Sequence, residues 1–401
     1  MDLPDRRPAR RAPDASGVVL RAVLDHGPVA RSNLARLTGT SAATVTGVTA
    51  TLLDLGLLRE VPEAAGPPGF GRPHVPLDLD TERVAVLGVH VAVPQVAVSV
   101  LDARGRVLDC RRLPYDHPTP AEVVALAGEE IARLVEEYAD RSILGVGVAA
   151  GGWVDARAGV VVDHPVLSWR DAPLREPLAE LTGLPTYVEN HGRALLRAEQ
   201  LFGAHVARAR ESIVHLFVGN VVDAAFSIRG RVHQGARSAS GTVAHLPVDV
   251  DPGEAEPCRC GRVGCLQAAV SERALLRAAE RLGVSVPSAA VLCDLALAGD
   301  ERLVELFVRR ARLVGHAAAS LLDLVNPEVL VVMESGIRRL PAARAALLEE
   351  VAQRSEIVGD VAGIITPTSF ADPLAVAGGA VALDRLFAAP LASVGALSTA
   401  S

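Results

Sequence analysis

The sequence contains no lysine: all forty of its basic side chains are arginine. That excludes a phosphate-binding loop of the Walker type and any mechanism through a lysine Schiff base. Nor is there a run of about 18 uncharged apolar residues. The first eleven residues carry Arg6, Arg7, Arg10 and Arg11 but lack the apolar stretch of a secretory signal. These absences point to a soluble, globular protein of the cytoplasm, off the membrane. Cysteine is sparse, and three of the five, Cys258, Cys260 and Cys265, crowd together. In a reducing compartment such a cluster fits a metal site better than a disulfide framework, and Cys110 and Cys293 read as small buried residues. No repeat with a period of about 20–50 residues is present, which excludes a solenoid.

What is there is ample apolar material: 401 residues, half of them hydrophobic, support two or three domains of about 150 residues each. The net charge of −7 is unevenly distributed. Residues 1–80 hold nine arginines against nine carboxylates, leaving 31 against 38 for the remainder. The carboxy-terminal bulk therefore repels nucleic acid, and any DNA contact falls to the amino-terminal segment. Its arginine run at residues 1–11 reads either as a DNA-contacting arm or as a solvated tail.

Helical periodicity, with Ser16 as cap, spans residues 16–25 and ends at Gly27-Pro28. A second short helix is expected over 32–37, Gly39 turns the chain, and Ser41 caps a third helix reaching Leu55 before Gly56 stops it. Two extended segments, 57–61 and 74–79, flank a Gly- and Pro-rich stretch. Three helices and a hairpin in this order make a winged helix-turn-helix, residues 1–80. From about residue 83, valine-rich strands at 84–93, 96–101 and 106–110 precede helical segments at 121–138, 192–202 and 301–324. These alternate with strands at 144–149, 213–218 and 329–332, which is the order of an α/β fold. The last dozen residues, rich in Ala and Ser, read as a frayed tail.

In a helix-turn-helix the second helix of the pair enters the major groove, where exposed side chains meet base edges. Ser41, Thr44, Thr46 and Thr49 are the candidates, for there is no arginine between Ser41 and Leu55 to make a bidentate contact with guanine. Affinity must come from Arg31 and Arg36 on the preceding helix and from Arg72, in the glycine-flanked hairpin tip Gly69-Phe70-Gly71-Arg72-Pro73. The alternative to DNA binding is a winged helix used only for dimerisation. Farther along, His245 precedes Cys258, Cys260 and Cys265, so one imidazole and three thiolates fall within 21 residues. Zinc accepts this set tetrahedrally. With all four positions taken by protein, the site is structural instead of hydrolytic.

These residues resemble the ROK family (repressors, open reading frames and kinases), in particular its winged-helix regulators and the xylose- and N-acetylglucosamine-type repressors among them. The matches are His245 with the cysteine cluster, Val188-Glu189-Asn190, Gly235-Ala236 through Gly241, and Asn326 through Val332. Residues 27–60 are similar to the family's helix-turn-helix, 69–80 to its wing and 83–387 to its body. The resemblance implies an actin-like (ribonuclease H-like) sugar-kinase fold over residues 81–401, with two lobes around a sugar and ATP cleft. Lobe one would comprise about 81–190 plus a carboxy-terminal helix at 375–389, and lobe two 191–374. It also implies a homodimer or homotetramer, a double-stranded DNA operator as partner and a sugar or sugar derivative as effector.

The departures from the family pattern bear on chemistry. Where family kinases have Gly-x-Asp-x-Gly-Gly-Thr, this chain has Gly88-Val89-His90-Val91-Ala92-Val93-Pro94. Where they have Gly-Thr-Gly-x-Gly-x-Gly, it has Gly219-Asn220-Val221-Val222-Asp223-Ala224-Ala225. Phosphate finds no glycine cradle, and a carboxylate stands in its place. His191 occupies the position of the catalytic aspartate, so no catalytic residue is assigned and the chain is expected not to be an enzyme, although a histidine base keeps an active ATP-dependent sugar kinase open as the alternative. A ligand-free protein-binding module is the third reading. The family's sugar-holding positions carry Asn190, His191, Thr242 and Gln267. They suit an acidic or phosphorylated sugar recognised with Arg193, or else a filled cleft. His90 reads as a satisfied strand-end histidine, and Trp153 and Trp169 as packing residues with either able to line the cleft.

Overall fold

The computed structural model describes residues 14–64, 75–250, 256–357 and 359–398. Three helices open it, α1 (Ala15–His26), α2 (Arg31–Thr38) and α3 (Ala42–Asp54). Two short strands, β1 (Leu58–Glu60) and β2 (Leu77–Leu79), then pair antiparallel with Leu58 opposite Leu79. The hairpin tip that holds Arg72 lies outside the described residues, as do Arg6, Arg7, Arg10 and Arg11. Ser41 caps α3 by accepting the Thr44 amide at 3.1 Å, and Gly39 and Gly56 take the left-handed turns that stop α2 and α3. The cap of α1, expected at Ser16, is Asp14 instead: its carboxylate takes the Ser16 amide at 3.0 Å, while the Ser16 hydroxyl is buried. A carboxylate two residues upstream is the stronger acceptor for the orphan amides.

The first sheet of the body holds β3 (Val84–Val91), β4 (Gln95–Asp102) and β5 (Val107–Pro114). Helix α4 (Pro120–Glu137) follows, closed at its start by a Thr119–Glu122 capping box, and then β6 (Ser142–Ala150). A three-stranded antiparallel flap, β7 (Trp153–Asp155), β8 (Val160–His164) and β9 (Trp169–Pro173), leads through α5 (Arg175–Thr182) to β10 (Thr186–Asn190). The sheet order is β10-β6-β3-β4-β5. Every residue of β3 is buried, whereas β5 at the edge is largely exposed, as a strand covered on both faces and a sheet edge demand.

The second half runs through α6 (His191–Phe202), α7 (Val206–Glu211), β11 (Ser212–Val218), β12 (Val222–Ile228) and β13 (Arg231–Val232). Helices α8 (Leu266–Val270), α9 (Glu272–Arg281), α10 (Ala289–Leu297) and α11 (Glu301–Val325) follow, then β14 (Val329–Met333), α12 (Ser335–Arg339), α13 (Pro341–Arg354), α14 (Val361–Ile364) and β15 (Ile365–Pro367). Their sheet is ordered β13-β12-β11-β14-β15, parallel from β11 onward. Helix α15 (Pro373–Ala388) then returns to the first sheet, and α16 (Pro390–Ser398) ends the described chain. Over its described part, to residue 398, the expected frayed tail is a helix. Its Ala- and Leu-rich residues favour one, Val394 packs into the core, and the Ser393 hydroxyl reaches the Arg385 and Ala389 carbonyls. None of the helices among the described residues is long and apolar enough to cross a membrane.

Helix α15 joins all the parts. A Cβ on Gly147 of β6 would overlap the Gly378 carbonyl oxygen, and one on Gly88 of β3 would lie 2.5 Å from the Gly379 amide. The helix rests backbone to backbone on the sheet, and the buried Ser99 hydroxyl donates to the Ala375 carbonyl at 2.7 Å. At its far end, Gly17 of α1 comes so close that a Cβ there would lie 2.6 Å from the Ala388 carbonyl oxygen, and the Arg21 guanidinium sits 5.9 Å from the Phe387 ring centre. Asp25 of α1 also takes both arms of Arg210 at 2.6 and 2.9 Å. One apolar cluster runs unbroken from Val19, Leu20 and Leu34 to Leu101, Leu383 and Phe387, so the amino-terminal head is seated on the body. Gly147→Ala forces backbone apart at this seam and is expected to destabilise the protein by about 1–3 kcal/mol. A thermal melt matching that of the wild type would contradict this account of the seam.

Candidate functional site

On the head, Ser41, Thr44 and Thr46 share the exposed side of α3. Their hydroxyls are partly engaged: Ser41 and Thr44 bond each other at 2.8 Å, and Thr46 donates to the Ala42 carbonyl at 2.8 Å. Lone pairs and methyl groups face outward beside Ala42, Ala43, Gly47 and Ala50, all exposed. The result is a thin, smooth helix face. Thr49, a candidate from the sequence, is fully buried and accepts from Arg31 Nε at 3.3 Å, because its place in the helical repeat faces the core with Val45 and Leu52. Arg31 gives a second arm to Glu60 at 3.0 Å, while Arg36 is exposed.

His245, Cys258, Cys260 and Cys265 converge, with one donor atom from each lying within 4.8 Å of the others. Cys258 Sγ is 3.6 Å from His245 Nδ1, and Cys260 Sγ is 3.6 Å from Cys265 Sγ. A tetrahedral ion with bonds of about 2.3 Å to sulfur needs donor separations of roughly 3.7 Å, so the set fits a metal ion. Local backbone forces the convergence. Gly261 and Gly264 have φ of 83° and 80°, and the Cys258 amide bonds the Arg262 carbonyl at 2.7 Å to close a tight loop. Arg262 pulls the Cys260 thiol down to about 6, whereas burial and the neighbouring thiols push that of Cys265 up to about 11. Three thiols this close cannot all ionise unless a cation lies among them.

The cleft between the two sheets divides in two. A cavity of about 770 Å³ is walled by Trp153, Asp223, Thr242 and Gln267, with the cysteine loop behind. A second, of about 680 Å³, lies beside His90, His191 and Phe217. Val221 lines both, and its methyl group approaches Gly151 next to His191. One oxygen of Asp223 on β12 accepts three hydrogen bonds at 3.1 Å each, from the Gly152 amide, Asn190 Nδ2 and His191 Nε2. With a carboxylate facing it, Nε2 of His191 carries the proton. The imidazole also stacks on Phe217 at 3.8 Å between ring centres.

Of the four candidate effector residues, Thr242 and Gln267 line the larger cavity, and Asn190 and His191 do not. Asn190 caps α6 through the Arg193 amide, and Gln267 bonds the Val222 amide and the Asn220 carbonyl. Arg193 is not available to an acidic sugar. It is 2% exposed and donates to Glu189, Ser238 and Val154, because a buried guanidinium must fill its donors internally. His90 also departs from expectation: it is 2% exposed and neither ring nitrogen has a partner among the described residues. Burial, and then His191 and His164, hold its pKa down to about 3. Trp169 packs internally, with its Nε1 on the Pro118 carbonyl, while Trp153 walls the larger cavity. Cys293 is buried as expected, but Cys110, on the edge strand, is only half-buried. Val221 and Asp223 are the residues that reading the sequence undervalued, although the valine and aspartate replacing loop glycines were their signal.

The ROK family model matches residues 86–384. The transcriptional regulator Rv0485 of Mycobacterium tuberculosis is 34% identical over 95% of this chain and 87% of its own length. The DNA-binding transcriptional dual regulator NagC of Escherichia coli is 26% identical over 79% of each. A crystal structure of a ROK family transcriptional regulator, a homologue of the E. coli MLC protein, superposes with a TM-score of 0.76 at 23% identity, covering 96% of this chain and 97% of that one. At that identity it establishes a shared fold.

Elemental analysis of the purified protein is expected to find about one metal ion per chain. Cys265→Ser should lower that content and the melting temperature together. Metal-free protein that melts at the same temperature as the metal-loaded form would remove the cluster's role.

Proposed function

This chain belongs to the ROK family, and from that membership we propose that it is a DNA-binding transcriptional regulator of carbohydrate-related or secondary-metabolism genes, not an enzyme. The observation that carries the reading is the head: a capped helix α3 exposed along one side, with paired wing strands behind it, seated on the body through α1. Similarity to a named transcriptional regulator runs through this head as well as through the body. On this reading residues 1–80 grip the operator, and residues 81–401 serve as an oligomerisation and effector platform that sets two heads at half-site spacing in a homodimer or homotetramer. Ser41, Thr44 and Thr46 meet base edges, Arg36 meets phosphates, Arg72 on the wing enters a minor groove, and Arg31 mainly braces the head through Thr49 and Glu60. Because α3 has no arginine, discrimination rests on methyl and hydroxyl contacts, such as those to thymine methyl groups.

We also propose that the ion held by His245, Cys258, Cys260 and Cys265 is zinc in a structural role, for three thiolates and an imidazole are its usual closed set. It would brace the loop that walls the larger cavity, where Thr242 and Gln267 face a sugar-derived effector and Asn190 and His191 act from behind through Asp223. The body is proposed to be catalytically silent. Val221 lies between the two half-clefts, the glycine cradles are gone, and the imidazole at the position of the family kinases' aspartate has its Nε2 proton tied to Asp223.

A mobility-shift assay on the protein's own upstream region, at stated salt, is expected to give a specific complex. Replacing Thr44 and Thr46 together by alanine should weaken that complex about tenfold without moving the melting temperature. Arg36→Ala should weaken specific and non-specific DNA alike and reduce the salt slope by about one. No specific shift under any condition would sink the regulatory reading. Separately, a coupled assay for ADP over a panel of sugars should stay at background, and sugar-dependent turnover would restore the kinase.

A further inference from the structure

We propose that Cys260 is a redox-reactive thiol: a hydroperoxide oxidises it, Cys265 closes a disulfide with it, and the metal ion held by the cluster leaves. The inference rests on the structural-metal reading above and concerns reactivity, which that reading does not require.

The three sulfurs of the cluster are not equivalent. Cys258 and Cys265 are buried, whereas Cys260 is exposed. It sits at the apex of the loop that the Cys258 amide closes on the Arg262 carbonyl. The apex stands clear of the rest of the protein, for a Cβ on Gly261 would meet nothing within 4 Å. A small oxidant therefore reaches this sulfur from solvent, and also from the larger cavity, which Cys260 lines. Arg262 Nε donates to the Cys260 sulfur at 3.4 Å and steadies negative charge on it. Cys265 is the fixed partner. It precedes α8 as its cap residue, and its backbone bridges to Pro247. Its sulfur is already 3.6 Å from that of Cys260, and closing to a bond of about 2.05 Å is a small movement of a free apex toward an anchored residue. Gly261 and Gly264, both at positive φ, lie in the segment between the two and absorb it. Cys258 is engaged instead with His245 Nδ1 at 3.6 Å.

The chemistry balances with a hydroperoxide as the only oxidant. A metal-bound sulfur is already a thiolate, so no prior deprotonation is needed. The Cys260 thiolate attacks one peroxide oxygen, the O–O bond breaks, and hydroxide leaves, which makes a sulfenic acid. The Cys265 thiolate then attacks the Cys260 sulfur, the S–S bond forms, and a second hydroxide leaves. Two thiolates are oxidised by two electrons, the peroxide is reduced, and two protons from solvent turn both hydroxides into water. One thiolate and one imidazole remain, too few for a closed tetrahedral set, so the ion departs and the wall of the larger cavity loses its brace. The other two cysteines lack this reactivity. Cys110 is half-buried and Cys293 buried, and burial raises both thiols above their ordinary value.

The test uses the full-length, metal-loaded protein without DNA, treated with hydrogen peroxide. A chromogenic chelator is expected to record release of about one ion per chain. Peptide mapping without reductant should find a disulfide between Cys260 and Cys265, and a dimedone trap added with the peroxide should tag Cys260. Cys260 should be modified at least about tenfold faster than Cys110 or Cys293. Dithiothreitol with added zinc should restore both metal content and melting temperature. Replacing Cys110 and Cys293 together by serine should leave the release rate unchanged. Loaded protein that keeps its ion under excess peroxide, or that forms a disulfide through Cys258 in place of this one, would overturn the proposal and leave the structural metal standing. Protein purified without any metal would overturn both.

Discussion

Helix α15 can touch the backbone of β3 and β6 because Gly88, Gly147, Gly378 and Gly379 leave no side chain at the crossing. That contact fixes what each end of the helix can do. Its first residues, Pro373 and Leu374, wall the cavity beside His90, while Phe387 and Ala388 at its last turn receive α1 of the head. Sixteen residues span roughly 24 Å at 1.5 Å each, so one rigid element reaches from the cleft to the head. Close-packed seams of this kind transmit a shift as a whole, since there is no soft layer in which to absorb it. The same helix joins α6 and β11 in a small cluster of Ala149, Leu195, Phe217, Ala377 and Val381, where the two sheets meet.

Within the cleft, groups that a kinase turns toward substrate are turned toward each other. Asp223 is the centre of this arrangement: a single carboxylate oxygen gathers an amide, a carboxamide and an imidazole from the opposite side of the cleft. Hydrogen bonds to a charged group contribute about 1.5–3 kcal/mol each, so the clasp favours one fixed approach of the two halves. Val221 adds bulk at the same place. Val221 and Asp223, at positions where family kinases carry loop glycines, thus build a contact between the two halves of the cleft.

Much of this was legible in the sequence, and the failures have physical reasons. The head's helices, the Ser41 cap, the valine-rich strands and the metal cluster rest on local signals: caps, periodicity and spacing. The flap of β7, β8 and β9 was missed because its strands are short and lack clean alternation, and α16 because alanine and serine in a terminal segment look alike whether helical or frayed. Arg193, Thr49 and His90 misled for another reason. Whether an arginine is free, a threonine faces out or a histidine finds a partner depends on which distant residues arrive beside it, and neither Ser238 nor Val154 is near Arg193 in the chain. The clasp was half legible: a carboxylate in a glycine loop was evident, but not the three donors that meet it.

The composition of α3 bears on how the proposed regulator reaches useful affinity. A recognition helix of Ala, Thr and Gly fits closely against base edges but contributes few charge contacts, and the body's surplus of carboxylates opposes DNA at longer range. Each head then depends on a handful of arginines, of which Arg31 is already engaged with Glu60. One head gives weak binding that salt screens easily. Two heads fixed on a common body gain through effective concentration, because once the first is bound the second pays little further translational entropy, provided their spacing matches the half-sites. In the proposed oligomer the rigid seating of α1 on α15 would hold whatever spacing the body sets, which a loosely tethered head would forfeit.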